Sequence, residues 1–120
     1  MILLVDDNRV GREAFAKILR LNGYEVMEAA DAAEALETLS KIPIDLMITD
    51  FVMPGLSGVQ LIEQIRSQWP RTRVLMMSGY LTSEVGSIVS DGVDFIPKPV
   101  DVPLLLSTIN RIIPQDPSVR

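Results

Sequence analysis

The chain of 120 residues contains no cysteine and no histidine. The lack of cysteine excludes disulfides, thiolate metal sites and cysteine nucleophiles. The lack of histidine excludes a serine–histidine catalytic pair and a zinc site built on imidazole, and it also means that the chain cannot be a histidine phosphodonor. Carboxylates, hydroxyls and lysine are therefore the side chains that remain for chemistry.

The sequence also lacks any apolar run near the roughly 18 to 20 residues that a membrane span needs. Its first five residues, MILLV, have no basic start and are followed at once by two acids, unlike a secretory signal. A net charge of −5 disfavours nonspecific binding to nucleic acid, which depends on clustered Lys and Arg. Length and composition predict a single globular cytoplasmic domain that binds neither a membrane nor nucleic acid directly.

Strand and helix patterns alternate five times along the chain. Short apolar runs predict strands at 2–6, 24–28, 45–49, 73–77 and 93–96. Helical spacing is shown by Val10, Ala14, Ile18 and Leu21, by Ala32, Leu36 and Leu39, by Gly58, Ile62, Ile65 and Trp69, and by Leu105, Ile109 and Ile112. A fourth, weak helix is expected over about 82–91, between the third and the last. Short connections between alternating elements require right-handed crossovers, and so predict a parallel α/β sheet with helices on both faces.

Reactive polar residues follow four of the five predicted strands. Asp6 and Asp7 follow the apolar run Ile2–Val5, Asp50 follows Leu46–Thr49, Ser78 follows Val74–Met77 and Lys98 follows Val93–Pro97. In an open parallel sheet the carboxyl ends of the strands converge on one crevice, where ligands bind. Three acids, one hydroxyl and one lysine at that edge predict a site for a divalent cation and a phosphoryl group.

The charges of this set suggest how its members divide the work. Two carboxylates about 4 Å apart repel by roughly 4 kcal/mol at an effective dielectric constant near 20, so three together call for a cation. Mg²⁺ prefers oxygen ligands and is usually held by one or two carboxylates. Asp50 stands alone on the central strand and is the best candidate nucleophile for aspartyl-phosphate chemistry, with Asp6 and Asp7 left to hold the metal. Ser78 and Lys98 would then bind the phosphoryl oxygens.

Each residue alone has a simpler interpretation. One of the two paired aspartates would cap the first helix, and Asp50 would be a turn acid before Met53-Pro54-Gly55. Ser78 would be a turn residue, and Lys98 a solvated surface lysine. Their common placement at strand ends favours a site over these separate interpretations.

The ordered set Asp6-Asp7, Asp50 with Met53-Pro54-Gly55, Ser78-Gly79 and Lys98-Pro99 resembles the receiver domain of bacterial two-component response regulators, from residue 2 to about 113. The resemblance implies a flavodoxin-like (βα)5 doubly wound parallel sheet with strand order 2-1-3-4-5. It also implies that Asp50 accepts a phosphoryl group from the phosphohistidine of a sensor histidine kinase or histidine phosphotransfer protein. The domain would then be a phosphoacceptor in signalling and not an enzyme.

The same resemblance implies the details of the site. Mg²⁺ would be bound by Asp7, Asp50 and the backbone carbonyl of Val52, with Asp6 assisting through water. The Lys98–Pro99 peptide bond would be cis.

The resemblance further implies a switch built on Ser78 and Phe95. The Ser78 hydroxyl would turn toward the phosphoryl group while the Phe95 ring swings inward. This would change the face made by the predicted fourth helix, the fifth strand and the last helix. A homodimer through that face is left open.

Two positions depart from what would favour rapid loss of the phosphoryl group. Val52 and Tyr80 lie two residues after Asp50 and Ser78, where the family tunes dephosphorylation, and an apolar Val52 cannot orient an attacking water. The domain is expected to cover residues 1–113, followed by a flexible tail, 114–120. A free-standing receiver and one excised from a hybrid sensor kinase or a longer regulator both remain open.

Three other functions compete with this one. A Mg²⁺-dependent phosphatase of the haloacid-dehalogenase type needs a general acid two residues after its nucleophile, where this chain has Val52. A flavodoxin-like small-molecule module would need a glycine-rich loop where Asp6 and Asp7 stand. A degenerate receiver used only for protein contacts is disfavoured by the intact set of site residues.

Overall fold

The computed structural model describes residues 1–50, 58–79 and 93–114. Its five strands form one parallel sheet in the order β2-β1-β3-β4-β5. The strands are β1 (Ile2–Val5), β2 (Val26–Ala29), β3 (Leu46–Asp50), β4 (Arg73–Ser78) and β5 (Asp94–Pro97). The described helices are α1 (Arg9–Leu21), α2 (Ala32–Lys41), α3 (Gly58–Gln68) and a C-terminal helix (Val102–Ile112). The expected fold class and strand order are confirmed, whereas the helix expected over 82–91 lies outside the described residues.

Alternate residues of the buried strands serve the two faces of the sheet. Leu3, Val5, Met47 and Met76 belong to a core cluster formed with α2 and α3. A second cluster, formed with α1 and the C-terminal helix, contains Ile2, Leu4, Leu46, Ile48, Leu75, Met77 and Ile96. Because β1 and β3 are buried on both faces, β1 and the first three residues of β3 are continuously apolar and do not alternate with polar residues. This packing therefore fixes the positions of the residues at the carboxyl ends of the strands.

Polar side chains begin three of the helices. Asn8 accepts a hydrogen bond from the Gly11 amide at 3.0 Å, and Asp31 accepts one from the Glu34 amide at 2.8 Å. Asp101 caps the C-terminal helix, whose first turn tolerates Pro103. Such caps satisfy amides that have no partner within the helix.

The helical spacing predicts α1 correctly but not its buried face. Val10 and Leu21 are 79% and 76% exposed. The face that packs on the sheet contains Ala16 and Leu19, with Phe15 partly buried beside them. Two apolar stripes overlap on this helix, and periodicity alone does not decide which of them meets the sheet.

The outer edge of the sheet on one side is β2, as its more polar sequence suggests. The amides of Ile2 and Asp6 donate to the carbonyls of Glu25 and Ala29, so the odd-numbered residues of this segment bond to β1. The backbone of Val26 consequently points away from the sheet, and its carbonyl accepts a 2.7 Å hydrogen bond from the Arg20 guanidinium.

In the described ranges, no helix combines the length and apolar character needed to cross a bilayer.

Candidate functional site

The pairing of β1 with β3 brings Asp6 and Asp50 together. Val5 lies opposite Thr49 in the register, and one step further along the two strands Asp6 lies opposite Asp50. Both carboxylates extend the row that begins with Ile2 and Leu46, on the face covered by α1 and the C-terminal helix. Asp6 and Asp50 are 6% and 9% exposed, so this edge of the sheet carries two largely buried acids.

Lys98 supplies the positive charge at this edge. Its ammonium forms a hydrogen-bonded ion pair with the Asp50 carboxylate. Its backbone amide donates to the Ser78 carbonyl at 2.8 Å, which ties the end of β5 to the end of β4. The Lys98–Pro99 peptide bond is cis. The structure thus brings Lys98 to Asp50 and does not leave it as an isolated surface lysine.

A cavity of about 350 Å³ opens above these residues. Its polar wall contains Asp6, Asp7, Asn8, Asp50 and Lys98, and its apolar wall is formed by Phe15, Met77, Pro99 and Val100, beside Gly11. All three predicted acids therefore face one space. Ser78 does not line the cavity: it is the last residue of β4 and is only 2% exposed.

The surroundings of the cavity shift the pKa of Asp6. Burial raises the pKa of its carboxyl above the ordinary value of 3.8, and the negative charges of Asp50 and Asp7 raise it further. The Asn8 amide, which donates to Asp6 Oδ1 at 3.0 Å, and the charge of Lys98 act in the opposite direction. The net shift is upward, and burial is its largest cause.

This donor set fits a small divalent cation. Among the described residues, which include all three aspartates, no three acidic side chains are arranged to hold one metal ion together. Mg²⁺ does not require such a cage, because it is usually held by one or two carboxylates and completes its shell with water and phosphate. Carboxylate oxygens that line one cavity match that requirement.

In the turn from β1 into α1, neither of the two adjacent aspartates caps the helix. The N-cap of α1 is Asn8, so the interpretation of Asp6 or Asp7 as a simple helix cap is wrong. Asp6 instead accepts the Asn8 amide, and this local bond turns the chain immediately after the strand. Asp7, which is exposed, thereby reaches the same cavity as Asp6.

Arg12 is a partly buried residue of this region that the sequence pattern does not single out. Its side chain is 14% exposed and its Nη1 donates to the Asp6 carbonyl oxygen at 2.8 Å. Its Nε donates to Glu28 Oε1 at 3.1 Å. No sequence signal connects Arg12 with Glu28, because their pairing depends on how α1 lies across β2.

Phe95, one of the two expected switch residues, is half-buried and packs against the core cluster on the α2 and α3 side of the sheet. This packing does not test its movement. Val52, Tyr80 and the turn at 53–55 lie outside the described residues. Their expected roles remain predictions.

Comparison with known proteins gives a consistent result. The family model described as the response regulator receiver domain matches residues 2–110. The chain is 35% identical over 112 residues to the response regulator protein FleR of Pseudomonas aeruginosa, which covers 92% of this chain and 24% of FleR. A response regulator receiver protein from Pseudomonas putida superposes with a TM-score of 0.85 at 38% identity, over 92% of this chain and 94% of that one.

The receiver domain of the hybrid histidine kinase CckA is also similar, with a TM-score of 0.77 and 37% identity over 93% of this chain and 97% of that one. The curated relatives are longer proteins. The chain spans 24% of FleR and 50% of the response regulator MprA of Mycobacterium leprae. The solved receiver domains, by contrast, are matched over nearly their whole length.

Proposed function

The chain belongs to the receiver domain family of two-component response regulators, and from that membership we propose that Asp50 is its phosphorylation site. The observation that carries this proposal is the pairing of the buried Asp50 carboxylate with Lys98 at the edge of a cavity lined by two further acids. Asp50 ends the central strand β3, so its position is set by neighbours on both sides.

The proposed reaction is a phosphoryl transfer from nitrogen to oxygen. A carboxylate oxygen of Asp50 forms a bond to phosphorus as the phosphorus–nitrogen bond of a phosphohistidine breaks, and the imidazole leaves. Because this chain has no histidine, the donor must be another protein segment. A sensor histidine kinase or a histidine phosphotransfer protein has the required chemistry. The domain would act as a phosphoacceptor and would not turn over a substrate.

Lys98 is already in contact with the carboxylate that would attack. Its ammonium can move with the negative charge as that charge shifts from the carboxylate to the phosphoryl oxygens, which favours the transition state. Ser78 lies at the end of the neighbouring strand, and its carbonyl is bonded to the Lys98 amide. We assign the Ser78 hydroxyl as a further donor to the phosphoryl group.

A bound Mg²⁺ would balance the negative charge that the three aspartates carry in excess of Lys98. It would also neutralise charge on the phosphoryl oxygens. We propose Asp7, Asp50 and the Val52 carbonyl as its ligands, with Asp6 acting through water. The position of Asp6 supports this role: burial first, and then the charges of Asp50 and Asp7, raise the pKa of its carboxyl, and a cation in the cavity would offset both effects.

The finer features of the domain are proposals of the same kind. We place its boundary at residue 113, because the C-terminal helix ends at Ile112. A tail over 114–120, a switch through Ser78 and Phe95, a homodimer through the face next to β5 and a cytoplasmic location stay predictions. The alternative phosphatase has no supporting observation among the described residues.

The proposal is tested by incubating the protein with acetyl phosphate and Mg²⁺ and measuring its intact mass. One acid-stable, base-labile phosphoryl group should be added to the parent protein and none to Asp50→Asn. Asp45→Asn is a matched control, since Asp45 is an exposed acid just before β3, at the amino end of the strand that carries Asp50 at its carboxyl end. Equal labelling of the parent and Asp50→Asn would overturn the assignment.

A further inference from the structure

Arg12 joins the acidic end of β1 to the neighbouring strand. Its guanidinium donates to the Asp6 carbonyl oxygen at 2.8 Å and to the Glu28 carboxylate at 3.1 Å, so one planar group spans two strands. Glu28 is also approached by Arg20 at 3.6 Å, and it is 25% exposed. Arg12 is therefore held at its far end by a carboxylate to which it is hydrogen-bonded, whereas Arg20 contacts that carboxylate only as a longer ion pair.

The Asp6 carbonyl oxygen belongs to the peptide group that connects Asp6 to Asp7. The Asp6 amide is bonded to the Ala29 carbonyl at 3.1 Å, and the Asp6 side chain accepts the Asn8 amide. The bond from Arg12 fixes the other end of the residue, and with it the plane of the Asp6–Asp7 peptide. The direction in which Asp7 leaves the backbone follows from that plane.

Of the two aspartates, Asp7 is the one whose position depends more on the backbone. It is exposed, in contrast to Asp6, yet it lines the same cavity. Arg12 does not line the cavity, and the charges that shift the pKa of Asp6 are those of Asp50, Lys98 and Asp7. Arg12 thus acts on the acidic pair through the backbone and not as a counterion in the cavity.

We propose that Arg12 is a positioning residue that fixes the Asp6–Asp7 peptide, with Glu28 as its anchor, and thereby sets the affinity of the two aspartates for a divalent cation. This inference rests on the proposed function, because it assumes that the pair binds Mg²⁺. Partners that hold metal ligands in place typically contribute about 10- to 100-fold to metal affinity. Arg12 does not line the cavity in which the cation and the phosphoryl group would lie.

The experiment compares four variants with the parent protein. Arg12→Ala removes both bonds, and Arg12→Lys keeps the charge but has no planar fork to span Glu28 and Asp6. Glu28→Gln weakens the anchor and leaves Arg12 in place. Arg20→Ala is the matched control, since Arg20 pairs with the same Glu28 but donates to Val26 and not to Asp6.

The first measurement uses the metal-free protein. The amide chemical shift of Asp7 reports the peptide that Arg12 holds, and it should change in Arg12→Ala and Arg12→Lys but not in Arg20→Ala. The second measurement is the Mg²⁺ dissociation constant, followed through the amide resonances of residues 6–8. It should rise about tenfold or more in Arg12→Ala, less in Arg12→Lys and Glu28→Gln, and less than about twofold in Arg20→Ala.

A third measurement separates positioning from general destabilisation. If Arg12 only positions the aspartates, saturating Mg²⁺ should restore labelling of Asp50 by acetyl phosphate to near the parent rate. If Arg12→Ala does not fold, Arg12→Lys and Glu28→Gln decide the question by the same measurements. An unchanged dissociation constant in the folded Arg12 variants, or equal weakening in Arg20→Ala, would overturn the inference. A parent protein that neither binds Mg²⁺ nor is labelled would instead refute the proposed function, and this inference with it.

Discussion

The Lys98 ammonium and the Asp50 carboxylate form an ion pair between residues that are 48 positions apart in the chain. The pair links the ends of β3 and β5, which are separated in the sheet by β4. Asp50 is 12% exposed at its side chain and Lys98 is 37% exposed, so the acid is held inside and the lysine reaches in from the rim. A contact of this kind both stabilises a buried charge and places a cation where a phosphoryl group would arrive.

Removing the Lys98 ammonium should slow phosphorylation of Asp50. Loss of one donor that stabilises developing negative charge typically costs on the order of 100-fold in rate. Lys98→Ala should therefore label about 100 times more slowly with acetyl phosphate at fixed Mg²⁺, and Lys98→Arg should lie between the two. Lys41→Ala serves as control, because Lys41 also pairs with a carboxylate, that of Glu37, but on the exposed surface of α2. A parent-like rate for Lys98→Ala would remove Lys98 from the reaction.

Replacing Asp7 should abolish Mg²⁺ binding. In the parent protein, Mg²⁺ should shift the amide resonances of residues 6–8 and 50–52, and Asp7→Ala should remove these shifts because it deletes a proposed direct ligand. Glu37→Ala removes an acid from the exposed surface of α2 and should leave the titration unchanged. Unaltered binding by the Asp7 variant would contradict the ligand assignment.

The stability of the metal-free protein should depend on pH through Asp6. Burial raises the pKa of this carboxyl above 3.8, so between the unfolded and folded values the folded chain binds more protons than the unfolded one. The free energy of unfolding contributed by Asp6 is then greatest at low pH and declines as the pH rises through that window. Asp6→Asn should remove this decline and stabilise the metal-free protein at neutral pH by about 0.5–2 kcal/mol.

Urea unfolding at several pH values, with a chelator present, measures this effect. Glu63→Gln changes the net charge equally on the exposed surface of α3 and should leave the pH dependence near that of the parent. Added Mg²⁺ should stabilise the parent more than Asp6→Asn. A variant that is less stable than the parent at neutral pH would contradict the electrostatic account.

The lifetime of the phosphorylated protein should be long, and Val52 should be one reason. Orientation of an attacking water by a polar side chain is typically worth about 10² to 10⁴ in rate, and Val52 offers no polar atom. Val52→Asn should therefore speed the first-order loss of the Asp50 phosphoryl group at fixed Mg²⁺, and Tyr80→Ala should do so if the ring shields it. If the parent decays fastest of the three, neither residue protects the bond. This prediction rests on sequence position alone.

Much of the site was predictable because strand ends are easy to locate in a parallel sheet. The runs before Asp6, Asp50, Ser78 and Lys98 are apolar, short and separated by helical patterns, so their carboxyl ends had to meet at one edge. The strand boundaries were less accurate. Asp50 and Ser78 are the last residues of β3 and β4 and do not follow them, and β2 begins at Val26 although the pattern placed its start at Tyr24.

What could not be predicted depends on how helices lie on the sheet. Periodicity identified α1, but the stripe containing Val10 and Leu21 is exposed and the one containing Ala16 and Leu19 is buried. The same limitation hid Arg12, whose partners come from two different strands. A periodic pattern indicates that a helix has an apolar side. A bond between two elements can be predicted only when their relative orientation is known.

The hydrogen bond between Arg20 and the Val26 carbonyl has a consequence for association between molecules. An outermost strand presents unpaired backbone groups to which a strand of another chain can add, and this is a common beginning of aggregation. On β2 one of those outward carbonyls is occupied by a guanidinium, and the neighbouring Glu28 side chain is paired with two arginines of α1. A foreign strand would have to displace a charged helix face before it could pair there. The arginines that brace α1 against the sheet therefore also make this edge a poor template for unwanted polymerisation.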